Sequence, residues 1–331
     1  MSRPQNRVKR FVKSITLTDA QRDTIDLPRD YDYESIVIRF SGTSTLSNAG
    51  AAVRAEAPLQ AISWLNLKAN GTDLLDGMSA VMAHRNCVLR NGQLPPLSAP
   101  SDATAAARTF SGMVILDRAV IDGIRAKDGN FPSVGLSTFQ LEVTAGNATD
   151  LFTGTPAGTM TMTVSVSIVQ TEEQAVAGKR SLPRVVTKRS QRTEVFASSN
   201  AAAQVRLNTG NIMRGLLIRA YGASTAGEPS NIGLNNVKVR KGNQILFDLP
   251  ASTLQGMNQA DYNVSTWPTG YYLIDFMTMG GPAGKLADCL DLRDGAELFL
   301  ELDVTGAANQ KIDIEQLEFM PYNPQYWGMA G

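Results

Sequence analysis

Few residues in this sequence have the type and spacing to do chemistry. The single histidine, His84, stands three positions before Cys87, and the one other cysteine is Cys289. A His and a Cys at that spacing could form a nucleophile pair or half of a metal site. No second nearby Cys or His completes either, so the segment reads as a helix that packs. Asp73 with Asp76, and Asp291 with Asp294, could pair as general acid and base, or hold calcium with loop carbonyls. Such pairs are common in turns, no EF-hand spacing appears, and no flanking pattern singles them out. Asn70-Gly71-Thr72 and Asn91-Gly92-Gln93 are turns rather than phosphate loops, and no GxGxxG or P-loop falls between a strand and a helix. One histidine removes most catalytic triads and His-rich metal sites. The chain reads as a non-enzyme, with no catalytic, cofactor or metal residue to assign.

Composition agrees with a protein that functions through its surface. The 331 residues carry 31 Lys+Arg against 31 Asp+Glu, with 43% hydrophobic and 19% charged residues. That is enough apolar material for a substantial core. Zero formal net charge argues against coating nucleic acid over the whole surface, and it permits self-association. No run of 18 apolar residues marks a membrane helix. The N-terminus, MSRPQNRVKRFVK, is basic without the apolar core of a signal peptide, which leads to an expectation of synthesis in a reducing cytoplasm.

The elements that must position these residues are short strands. Ser35–Phe40 (SIVIRF), Ile62–Lys68 (ISWLNLK), Thr138–Thr144 (TFQLEVT) and Met160–Val169 (MTMTVSVSIV) are clear cases, and the last alternates with period two. Gly215–Arg219, Asn236–Arg240, Tyr271–Phe276, Glu297–Val304 and Lys311–Phe319 continue the series. Asn70-Gly71 and Gly242-Asn243 supply turns that tolerate positive φ. One short helix is expected within Leu74–Leu89 and another at Leu254–Tyr262.

The chain also repeats itself. Ile36–Gly42 (IVIRFSG) matches Leu216–Gly222 (LLIRAYG), so Arg39 maps to Arg219, 180 residues later. Asn66–Lys68 (NLK) matches Asn236–Lys238 (NVK), and each leads through a glycine turn into an apolar pair and an Asp. Phe139–Thr144 (FQLEVT) matches Leu300–Thr305 (LELDVT) at a spacing of 161, and each half closes on an alternating strand. Four matches in one order point to a duplication. Each half has the length and strand count of a jelly roll. The polar stretch Thr171–Arg184, broken by Gly178 and Pro183, would join them.

Two tandem jelly rolls without catalytic apparatus resemble the double jelly-roll major capsid proteins of tailless icosahedral viruses, many of them bacteriophages with an internal membrane. The resemblance implies an all-β fold of two tandem eight-stranded jelly rolls with short helical inserts. It sets a basic N-terminal arm at 1–14, jelly rolls at 15–175 and 185–320, a linker at 176–184 and a tail at 321–331. It also implies a structural protein of the virion, made in the host cytoplasm. Three chains would form a homotrimer of pseudo-sixfold outline that tiles a capsid lattice beside minor capsid or vertex proteins, with no small-molecule substrate. Tandem jelly rolls also occur in carbohydrate-binding and carbohydrate-active proteins, and a minor capsid or spike protein is a second alternative.

Two basic clusters lie at the starts of the repeats: Arg3, Arg7, Lys9, Arg10 and Lys13, then Lys179, Arg180, Arg184, Lys188 and Arg189. They would face internal membrane head groups or packaged genome, or else form solvated loops. In the tail, Tyr322, Tyr326 and Trp327 would anchor a subunit contact, or fold back over their own barrel.

Overall fold

Alternation of apolar and hydroxyl side chains dictates the longest strands. In Met160–Ile168 every apolar residue on one face is at most 1% exposed, while Thr159, Thr161 and Thr163 on the other face lie in solvent. Successive side chains of a strand point to opposite faces, so such a segment is stable only with one face against a core. The computed structural model describes residues 7–46, 52–88, 93–101, 107–118, 129–154, 157–172, 185–222, 228–277, 288–305 and 310–322. The chain divides into two compact units, one of Met1–Cys87, Leu94–Lys188 and Pro321–Gly331, the other of Val88–Gln93 and Arg189–Met320.

In the first unit the elements run β1 (Arg7–Thr18), β2 (Arg22–Asp26), β3 (Asp32–Leu46), α1 (Ala57–Gln60), β4 (Ile62–Ala69), β5 (Thr72–Met78), α2 (Ala80–Arg85), β6 (Leu97–Ser98), β7 (Ala107–Asp117), β8 (Phe139–Ala145) and β9 (Gly158–Thr171). One sheet has the order β1-β9-β3-β7, with the two-residue β6 beyond β7, and β5-β4-β8-β2 forms the other. Ile36, Ile38 and Phe40 of the first sheet and Leu65, Leu67 and Leu141 of the second are fully buried. Tyr33 of β3 meets Phe139 of β8 edge to face at 4.9 Å, which ties the two sheets together.

The second unit runs β10 (Val185–Phe196), β11 (Asn200–Arg206), β12 (Ile212–Ala220), β13 (Leu234–Lys241), β14 (Gln244–Pro250), α3 (Ala251–Asp261), β15 (Tyr271–Asp275), β16 (Leu290–Asp291), β17 (Leu298–Val304) and β18 (Gln310–Pro321). Its sheets are β10-β18-β12-β15, with β16 also on β12, and β11-β17-β13-β14. Leu216, Ile218 and Ile314 from one sheet share a core cluster with Val237, Val239, Leu300 and Leu302 from the other. Strand for strand, the path β1-β9-β3-β7 repeats as β10-β18-β12-β15, and β2-β8-β4-β5 repeats as β11-β17-β13-β14. These are two eight-stranded antiparallel jelly rolls, one fold used twice.

The register carries the repeat to single residues. Lys68 lies opposite Gln140 and Asn66 opposite Glu142, as Lys238 lies opposite Glu301 and Asn236 opposite Asp303. The equivalent hairpins turn differently. Asn70 and Gly71 both have positive φ, at 49° and 79°, the primed turn that matches strand twist, whereas in the Gly242-Asn243 turn only the glycine does, at 55°.

Three expectations need correction. Residues 7–14, read as part of an arm, instead begin β1 and are hydrogen-bonded to β9 from Arg7 opposite Thr171 onward. The short, polar strands β2 and β11 fall where the sequence pattern predicts no strand. The alternating strand at Lys311–Phe319 is buried on both faces, since Asp313, Glu315 and Glu318 are as inaccessible as Ile312 and Ile314. Residues 173–184, which include the expected linker, lie outside the described residues, and the division between the units falls inside β10 at Lys188/Arg189.

Candidate functional site

The residues with chemical potential are held in packing or in local ion pairs, or lie singly in solvent. His84 sits on α2, whose N-cap Ser79 accepts a bond from the Met82 amide. Its Nε2 donates to the Pro95 carbonyl at 2.9 Å, and burial lowers its pKa to about 4. The Cys87 thiol faces the Ala83 and Ile115 carbonyls at 3.5 and 3.4 Å and is buried. Asp291 is bound by Arg293 at 2.5 Å, which holds its carboxyl well below the usual range, and Asp294 pairs with Lys241 at 2.7 Å. Asp73 lies 3.9 Å from Lys68, and Asp76 is exposed. Among the described residues no group of three or more His, Cys, Asp or Glu could hold a metal ion.

The repeated motifs do come together, as a polar ladder on each unit. Lys68 lies between Asp73 at 3.9 Å and Glu142 at 3.7 Å, and Asn66 donates to Glu142 at 3.3 Å. In the second unit Lys238 lies between Asp248 at 3.3 Å and Glu301 at 3.9 Å, and Asn236 donates to Asp248 at 2.7 Å. Burial alone would raise the Glu142 pKa, but the Arg22 hydrogen bond and charge override it and lower the value. These are cross-strand pairs of opposite charge, the sheet counterpart of helical ion pairs.

The basic clusters are partly neutralised. Arg7 binds Glu34 at 2.6 Å, and Arg10 pairs with Asp30. Lys9 and Lys13 are exposed, Lys188 is half-buried, and Arg189, expected on an accessible basic patch, is only 9% exposed. Burial of its stem in β10 withdraws Arg189 from the surface. Arg3, Lys179, Arg180 and Arg184 lie outside the described residues, as do Tyr326 and Trp327 of the tail. Tyr322 is half-buried.

The outer face of β1-β9-β3-β7 has no counterpart among the sequence motifs. Straight across its four strands, Thr18, Thr161, Thr43 and Thr109 stand opposite one another in a row, and all are exposed. The next row is Thr16, Thr163, Ser41 and Ser111, and the third is Ser14, Ser165, Arg39 and Met113. The fourth is more apolar: Phe11, which is 61% exposed, Ser167, Val37 and Ile115. Period-two threonines are legible within β9 alone. Their alignment with β1, β3 and β7 depends on long-range register, which no local pattern contains.

The strand paths define the class: an all-β double jelly roll, the fold of icosahedral virus coat proteins. Residues 188–320 match the family model described as viral coat protein P2 C-terminal domain. The solved structure of the STIV MCP superposes with TM-score 0.76 at 16% identity, covering 98% of this chain and 99% of that one. The major capsid protein P2 from Bacteriophage PM2 superposes with TM-score 0.62 at 15% identity, over 96% of this chain and 99% of that one. The PBCV-1 virus capsid model gives 0.65 at 14% identity, over 96% and 95%. No curated protein sequence matches the chain significantly.

Proposed function

We propose that this chain is a major capsid protein, a structural, non-enzymatic subunit of an icosahedral virion. The observation that carries the reading is the duplicated sandwich: the same eight-strand path twice in one chain, with a coat-protein family model on the second copy. The chemistry suits the role. Sheets closed into sandwiches leave few free edges for strand-to-strand aggregation when many copies crowd together. Zero net charge removes the long-range repulsion that dense packing would otherwise meet. Two like barrels per chain let three chains approximate a hexagon, the outline that tiles a shell. The P2 family model, together with the likeness to P2 of Bacteriophage PM2, supports a bacteriophage virion.

Among the described residues of the two basic clusters, Lys9 and Lys13 are exposed and are the ones proposed to attract phosphate, whether of lipid head groups or of packaged genome. Tyr322, Tyr326 and Trp327 are the proposed tail contacts between subunits. Light scattering on the purified chain tests the assembly reading. A stable species of about 107 kDa, three times the 35.6 kDa chain, is expected. A monomer at every concentration contradicts it. Exchanging Lys9 and Lys13 for Glu should weaken binding to anionic vesicles if lipid is the partner, and to a duplex DNA probe if genome is.

A further inference from the structure

We propose that the outer face of β4, β8 and β2 in the first unit binds a neutral saccharide, a β-linked chain of gluco-configured pyranose rings stacked on Trp64. The inference goes beyond the capsid reading and stands on side chains of the first unit alone.

The first support is Trp64 itself. Of the two described tryptophans, Trp267 is buried and donates to the Tyr271 carbonyl at 2.8 Å, whereas Trp64 on β4 is 44% exposed. A large aromatic ring left in water forgoes the burial that normally stabilises it. The ring lies against Gly77, where a Cβ would meet its six-membered half at 3.9 Å and where φ is 55°. The second unit supplies an internal comparison. It repeats the polar ladder, but Leu234, two positions before Asn236, is 2% exposed and stands opposite Val304. Cross-strand pairing therefore accounts for the ladder in both copies and does not account for the exposed indole in one.

The second support is what surrounds the ring. Trp64 stands opposite Thr144, and Thr144 opposite Arg22; in the next row Asn66 stands opposite Glu142, and Glu142 opposite Thr24. Asn66 accepts from the Gly77 amide at 2.6 Å and donates to Glu142 at 3.3 Å, so its amide plane is fixed beside the indole. Arg22 pairs with the same carboxylate, and Lys68 lies 3.7 Å from it. Planar amide, carboxylate and guanidinium groups can each engage two neighbouring hydroxyls at once. A gluco-configured pyranose carries its hydroxyls around the rim and only axial C–H bonds on its faces. It therefore offers an apolar face to the indole and a polar rim to Asn66, Glu142 and Arg22. Charge selects against other ligands. Arg22 and Lys68 share Glu142, and Lys68 also has Asp73 at 3.9 Å, so the cations beside the ring are paired and attract a polyanion weakly. These rows hold a single apolar ring among polar groups, which is too little apolar area for an amphipathic helix.

Isothermal titration calorimetry of the full chain with cellopentaose tests the inference, with heparin as the polyanionic probe. The wild type should bind cellopentaose at least tenfold more tightly than Trp64→Ala, and Trp64→Phe should recover most of the loss. Ile232→Ala, at an apolar position 81% exposed in the second unit, is the control and should bind like the wild type. Absence of cellopentaose binding by the wild type, or equal affinity in Trp64→Ala, overturns the inference. Heparin binding without cellopentaose binding overturns it too, as does a tenfold loss in the control. The capsid reading is decided separately, by the oligomer mass. If Trp64→Ala unfolds early, oxidation of the wild-type chain by N-bromosuccinimide decides instead. Saturating cellopentaose should slow the oxidation of Trp64 at least tenfold, read by peptide mass, and equal rates with and without the sugar overturn the inference.

Discussion

Arg39 and Arg219 occupy the same place in two copies of one fold, yet only one of them is structural. Arg39 lies in solvent on β3. Arg219 is 5% exposed at its side chain and bonds Asp313 at 3.1 Å, with its guanidinium 4.1 Å over the Tyr221 ring. Asp313 accepts further bonds from Tyr221 at 2.5 Å and Thr193 at 2.6 Å. A buried guanidinium is tolerable only when its charge and donors are matched, and β18 supplies that match with a carboxylate where β9 has Ser165. Duplication therefore preserved the backbone path while each copy's surroundings rewrote its outer face. Glu315, opposite Leu217 on the same face of β18, is fully buried as well.

The sharpest way to break this comparison is to remove the match. Asp313→Ala should destabilise the protein by about 3–5 kcal/mol in urea unfolding, because Arg219 stays buried without its anion. Arg39→Ala should change stability by no more than about 0.5 kcal/mol. The next effect belongs to the first unit alone, which holds the single histidine. Burial depresses the His84 pKa from 6.5 to about 4, so below pH 6.5 the unfolded chain binds a proton that the folded one refuses. Stability contributed by the neutral ring is complete above pH 6.5. It falls as pH drops toward 4, by up to about 3 kcal/mol. His84→Gln should flatten that part of the melting-temperature profile between pH 7 and pH 4.

A smaller effect should appear in both units. Gly71→Ala and Gly242→Ala each force a side chain onto positive φ at the equivalent hairpins, and each should cost about 1 kcal/mol by chemical denaturation. The smallest should come from the exposed ladders. Lys68→Ala and Lys238→Ala should each cost less than about 1 kcal/mol, shrinking further in 1 M salt.

Much of the architecture was legible in the sequence because burial on one face leaves a period-two trace. SIVIRF and MTMTVSVSIV lie inside β3 and β9, and the NLK/NVK and FQLEVT/LELDVT matches prove to be strands that pair with each other. Legibility failed where that physical basis was missing. β1 begins with residues exposed or half-buried on both faces, so RVKRFVK reads as a basic arm. β2 and β11 carry little apolar periodicity. β18 is buried on both faces, so its charges suggested a solvent side that does not exist. The basic clusters were visible, but their partners Glu34 and Asp30 were not, being 27 and 20 positions away from Arg7 and Arg10. The hydroxyl face was invisible because it exists only once four distant strands align.

The central claim is that one jelly roll used twice makes a subunit built to meet its own copies. Electron microscopy of the purified chain tests it most directly. Class averages should show three copies arranged as six similar lobes around a central axis. A field of separate two-lobed particles, unchanged at high protein concentration, would contradict the account.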